Sequence, residues 1–252
     1  MTRTPIDDAA AARQVPYAFQ YTVPDEFVRL PDPTAAEGWE EALKRLVPDA
    51  DDEQLASASE QMRATLPGLS AGGEDTVDLT AMCLGTEDVS GEERLSMGLL
   101  AVTVKPSEHH DRLLTAEGIY RAKHHRFFSD ESGLQELDFD LGKGVQGRQD
   151  MLLAVKLPSG PAVMSASLRL LTLPASFVAE SGVMDGADSG DDGEVIRPTL
   201  PVASLQLIVP APRDYCVYVT ISTPSVFLLD SYCGRLAQIG RTFTFEVDNG
   251  NR

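Results

Sequence analysis

The chain has 252 residues, 42% of them hydrophobic, with 39 acidic against 21 basic side chains and a formal net charge of −18 at pH 7. Length and composition allow a sizeable core, while the charge repels phosphate backbones and anionic membranes, which argues against nucleic-acid binding. No run reaches the roughly 18 apolar residues that a membrane span needs.

Cys83, Cys216 and Cys233 are widely spaced, without a CxxC pair, and read as small buried hydrophobes in a reducing compartment. The segment after Met1 has no signal-peptide hydrophobic region and no lipid-attachment cysteine, so the expected compartment is the cytoplasm.

Residues 1–15 are polar and alanine-rich and are expected to be a flexible lead-in to one α+β domain over residues 16–248, with two domains divided near residue 106 as the alternative. Tyr17 to Val23 alternates like a strand, Pro24-Asp25 makes a turn, and Phe27 to Leu30 forms a second short strand. Trp39, Leu43, Leu46 and Val47 give the apolar edge of a first helix, which Pro48 stops. Asp51 and Gln54 have the spacing of a capping box for a second helix, with Leu55, Met62 and Leu66 as its buried stripe and Pro67-Gly68 as its end. Residues 25–93 hold 18 acidic and 4 basic groups. Glu40 and Glu41 represent this acidic surface as candidate contacts for a basic partner, against the simpler reading of a solvated helix face.

Val77 to Leu84 and Leu95 to Lys105 read as strands joined by an acidic loop from Thr86 to Glu93. Ser107 is the expected cap of a helix reaching Phe128, with Leu113, Ala116, Tyr120 and Phe127 on its inner side. Phe127 and Phe128 stand side by side, where one helix face buries only one of them, and so are candidate partner contacts. Leu134 to Leu141 and Met151 to Leu157 are expected to form a hairpin, and Ala162 to Leu173 another strand. From Glu180 to Glu194 the sequence has six acidic residues, four glycines and no basic residue, the composition of a flexible insertion.

The last part of the chain reads most clearly. Val202 to Val209 is a strand, Pro210-Ala211-Pro212 a turn and Asp214 to Ser222 a strand; an amphipathic helix then runs from Ser225 to Phe243. Leu229, Tyr232, Leu236, Ile239 and Phe243 line one face of that helix and require an apolar surface beneath them. The strand from Tyr215 supplies one with Val217, Val219 and Ile221, leaving Tyr218 on the second face as a further candidate contact; a second helix layer covering the sheet accounts for Tyr218, Phe127 and Phe128 equally well.

The motifs that resemble catalytic or metal sites lack their required context. Gly142, Gly144 and Gly147 spell GxGxxG, but a strand rather than a helix follows, so no dinucleotide cofactor is expected. His109-His110 and His124-His125 are adjacent pairs; His110 and His124 would lie roughly 21 Å apart on one helix and cannot share a metal. The acids around Asp185 lack the ligand order of a calcium loop. No GxSxG occurs, and no metal, cofactor or catalytic residue is expected.

Phe19-Gln-Tyr-Thr-Val-Pro-Asp-Glu-Phe, read as an N-terminal hairpin, combines with Val219-Thr-Ile-Ser-Thr-Pro, Leu229-Asp-Ser-Tyr and Ile239-Gly-Arg-Thr-Phe-Thr-Phe. Together they resemble the PsbP-like fold family, which includes PsbP, the Ran-binding import factor, and DcrB and LpqN-type proteins. The resemblance implies an α/β/α sandwich with a central, mainly antiparallel sheet, a packed C-terminal helix and no catalytic apparatus. It implies a protein-binding module, and the absent export signal and lipobox favour an intracellular adaptor or chaperone for a secreted client. An immunity-type inhibitor of a basic toxin enzyme and a small-molecule enzyme are the alternatives.

Overall fold

A computed structural model describes residues 19–32, 34–35, 37–69, 76–107, 110–128, 150–172, 199–212 and 215–245. The C-terminal segment shows how the sequence builds the core. Strand β7 (Thr199–Ala211) pairs antiparallel with β8 (Tyr215–Thr223), and helix α4 (Leu229–Thr242) follows through a 3-10 turn at Val226–Leu228. Tyr232, Leu236, Ile239 and Phe243 are all at most 1% exposed on the face predicted for them. Beneath them lie Val217, Val219 and Ile221 of β8 and Leu205, Leu207 and Val209 of β7. Full burial of one such side chain is worth about 1.5–3 kcal/mol, so this stripe accounts for the position of α4.

The remaining strands extend this pair into a seven-stranded sheet. They are β2 (Val28–Arg29), β3 (Thr76–Val89), β4 (Glu92–Pro106), β5 (Asp150–Leu157) and β6 (Gly160–Thr172), in the spatial order β2-β3-β4-β8-β7-β6-β5. Every pair among the described residues is antiparallel. Helix α4 covers one face. On the other, α1 (Trp39–Leu46) and α2 (Asp52–Leu69) pack Trp39, Leu43, Leu46 and Leu55 against Val28, Leu30, Met82, Leu84 and Leu99. Helix α3 (Arg112–Phe128) packs Ala116, Ile119 and Tyr120 against Leu152 and Val163 near the opposite edge. The fold is therefore an α+β sandwich of helix, antiparallel sheet and helix, with the C-terminal helix packed on the sheet. Among the described residues no helix is long and apolar enough to cross a membrane.

Several local expectations are corrected. The acidic stretch after Leu84 is no loop: β3 runs to Val89, β4 starts at Glu92, and the turn is Ser90-Gly91. Both turn residues have positive φ (57° and 86°), as a two-residue turn matching the strand twist requires. Pro210 and Ala211 belong to β7, opposite Cys216 and Tyr215. Pro210 lies beyond the last β6 pair, Val163 with Ile208, so its missing N–H costs no bond to that strand. Helix α2 continues through Pro67-Gly68 to Leu69, and Asp111 rather than Ser107 caps α3, its Oδ1 accepting the N–H groups of Leu113 and Leu114. Strand β5 pairs with β6 through a turn at Pro158-Ser159, while residues 134–141, the glycine-rich stretch 142–148 and the acidic stretch 180–194 lie outside the described residues.

The N-terminal strands do not form a hairpin. Strand β1 (Phe19–Gln20) pairs with β9 (Thr244–Phe245) near the end of the chain, whereas β2 joins β3. Long-range side-chain contacts override the local turn. Phe19 and Tyr21 stack on Phe243, the Thr22 N–H donates to Thr242 Oγ1 at 2.8 Å, and Tyr21 Oη donates to Asp78 Oδ2 at 2.7 Å.

Candidate protein-binding surface

Helix α3 lies across the outer edge of the sheet and leaves a mostly apolar cleft beside it. Its start is fixed by Arg112. There Nε donates to the Pro210 carbonyl at 2.8 Å, Nη2 donates to the Ser159 carbonyl, and the guanidinium stacks 5.1 Å from the Phe245 ring centre. Gly160, at φ 130°, makes room for that guanidinium, because a Cβ there would fall 2.8 Å from Nη2. With the helix held at this end, Leu113 and Tyr120 face Ala154 and Pro161 across a cleft of about 630 Å³, to which Glu117 and Lys156 add charged side chains.

Leu113 was expected on the inner side of α3, yet it is 66% exposed, and its neighbour Leu114 is 58% exposed. Ala116 is buried and Tyr120 packs inward as expected, with Thr115 buried beside them, whereas Leu113 in the first turn borders the cleft and Leu114 is exposed. The adjacency argument applied to Phe127 and Phe128 holds equally for Leu113-Leu114, so the signal was present in the sequence. Phe127 and Phe128 themselves end α3, and their side chains lie outside the described ones.

Tyr218 is half-buried on the face opposite α4, with Lys105 Nζ 5.2 Å from its ring centre. Register places it in one row with Thr103, Ile208, Val163 and Ala154, the last two of which also line the cleft. It stands two strands from Val163, about 10 Å at the usual strand spacing. Along this strip, between α3 and the α1–α2 pair, the sheet presents half-buried Ser204, Gln206, Thr220 and Ser222, with Gln206 Nε2 donating to Thr220 Oγ1 at 3.2 Å. Glu40 and Glu41 are exposed in the first turn of α1, which packs on α2, β2 and β3. The structure thus groups Tyr218 with the cleft and sets Glu40 and Glu41 apart at the other end of the sheet. Their place at a helix N-terminus also complements the helix dipole.

A second polar cluster lies between α4 and the β3–β4 hairpin, and sequence spacing carried no sign of it. Arg235 Nη2 donates to Glu87 at 2.7 Å and Nε to Glu26 at 2.8 Å, and its guanidinium lies 4.7 Å from the Tyr232 ring centre. Glu87 also accepts the hydroxyls of Ser96 and Ser231, and Tyr232 Oη lies 2.9 Å from Ser96 Oγ and 3.5 Å from Cys83 Sγ. Burial works to raise the Glu87 pKa, but the hydrogen bonds from Ser96, Arg235 and Ser231 and the nearby guanidinium outweigh it and hold the carboxyl below its usual range.

The cysteines are unfit as nucleophiles. Burial raises the Cys83 thiol, pushes Cys216 up to about 11, and raises Cys233 with help from Asp230. Thiols raised in this way carry less thiolate at neutral pH and react more slowly than a free cysteine. Among the described residues no three His, Cys, Asp or Glu side chains are grouped to hold a metal ion. A scan of the chain against protein-family models finds no match, and neither does a search of curated proteins.

Proposed function

We propose that the chain is a non-catalytic protein-binding module, an intracellular adaptor or chaperone for a secreted client, as its resemblance to the PsbP-like family implies. The observation that carries this reading is the apolar cleft beside α3, bordered by Leu113 at 66% exposure and continued by exposed Leu114. A cleft of this size takes a few apolar side chains of a partner, and exposed leucines at its entrance mark contact surface rather than core. The polar strip with Tyr218 extends the surface toward the middle of the sheet.

The test is affinity purification from the cells that express the protein, comparing the native chain with Leu113→Asp. Because Leu113 is largely exposed, the substitution leaves thermal unfolding unchanged and should reduce recovery of a specific protein by about tenfold. Equal recovery by both forms, or nothing specific with the native chain, overturns the proposal. The acidic segment from residue 25 to 93 gives the inhibitor reading its own signature, a complex with a basic enzyme whose affinity falls steeply with salt.

A further inference from the structure

The β3–β4 hairpin is longer than the sheet that holds it. Strand β2 meets β3 only at Ala81 and Met82, and β8 meets β4 only from Leu99 onward. The pairs from Cys83–Gly98 to Val89–Glu92 therefore lie in a two-stranded ribbon that runs past its neighbours. Such a ribbon is marginally stable alone, so its position depends on what it docks against.

Its docking is largely polar. At its base, Thr223 Oγ1 donates to the Met97 carbonyl at 2.6 Å, while Ser225 Oγ accepts the Met97 N–H at 3.1 Å and donates to the Leu95 carbonyl at 2.8 Å. These side chains take the place of a neighbouring strand where β8 has ended. Further out, Ser231 and Arg235 of α4 donate to Glu87, which also accepts Ser96 of the ribbon itself, and Arg235 reaches on to Glu26. Apolar anchoring among the described residues is thin: Val89 and Leu84 are only partly covered, and Leu95 is 57% exposed.

We infer that the ribbon beyond Cys83 and Gly98 is a hinged arm latched to α4 by the Glu87 carboxylate, and that it lifts as a unit while the seven-stranded sheet stays closed. A single ionised group collects both outer donors from α4, so loss of its charge weakens them together. The hinge is the Cys83–Gly98 pair, which sits against the Tyr232 ring. Docked, the arm touches Tyr232 through Ser96, and Tyr232 in turn touches Cys83, the two being 0% and 4% exposed; lifting would part these contacts and change the surface offered by the start of α4.

Cys83 makes the inference measurable, with Cys216 as an internal reference because it is 2% exposed within β8, away from the arm. The native chain, Glu87→Gln and Arg235→Met are treated with iodoacetamide under native conditions, and modification is read at each cysteine by peptide mass spectrometry. Both variants should label Cys83 about tenfold faster than the native chain, with Cys216 unchanged, because labelling tracks the open population. Unchanged Cys83 labelling in both variants removes the latch. Parallel acceleration of Cys83 and Cys216 shows that Glu87 secures the whole fold and removes the hinge.

Discussion

At Gly98, β4 runs directly against the Tyr232 ring of α4. A Cβ at this position would lie 2.6 Å from Tyr232 Cε1 and 3.1 Å from Cys83 Sγ, so the hinge tolerates no side chain without displacing a buried aromatic ring. Gly98→Ala is expected to cost about 1–3 kcal/mol of stability, read from urea unfolding with an unchanged slope. Glu87, four register pairs away from the Cys83–Gly98 pair on the arm, has a pH signature. Its folded pKa is depressed, so its contribution is present above the ordinary carboxylate value and is lost as pH falls through the lower folded value. The stability advantage of the native chain over Glu87→Gln should shrink between about pH 5 and pH 3 and be constant above that range. Urea midpoints collected across the two pH ranges check this; an advantage that grows on acidification contradicts it.

At the level of elements, α2 shows how far short-range chemistry reaches. Gln54 N donates to Asp51 Oδ1 at 2.8 Å and Asp51 N donates to Gln54 Oε1 at 3.1 Å, the reciprocal capping box expected from their spacing. Asp51→Ala should cost about 1 kcal/mol, measurable as a lowered urea midpoint, because it leaves an N-terminal donor without its acceptor. Helix α3 illustrates the limit. Its existence, its end at Phe128 and the inward packing of Ala116 and Tyr120 followed from the sequence, but Leu113, one turn earlier on the same side, borders the cleft at 66% exposure, since periodicity sets a face and not where the surface beneath it ends. The hairpin of β3 and β4 was shortened for a related reason. Acidic residues at 87, 88, 92 and 93 suggested a loop, but charged side chains are tolerated on a ribbon that is solvent-exposed over much of its outer length.

For the whole molecule, the layered architecture followed from periodicity: an alternating strand pair, then a helical stripe of Leu229, Tyr232, Leu236, Ile239 and Phe243 that had to lie across it. These patterns are local, since neighbours along the chain decide which face is apolar, and therefore the sequence by itself determined the α+β class and the residues α4 buries. What joins distant parts was decided only in the tertiary structure. Strand β1 meets β9 across more than 200 residues, Arg235 meets Glu87 across 148, and the cleft brings α3 together with strands β5 and β6. Any of 39 acidic side chains could have served Arg235 as far as spacing alone can say. Partner choice among chemically equivalent groups depends on the three-dimensional packing of separate elements, and no periodicity along the chain encodes it.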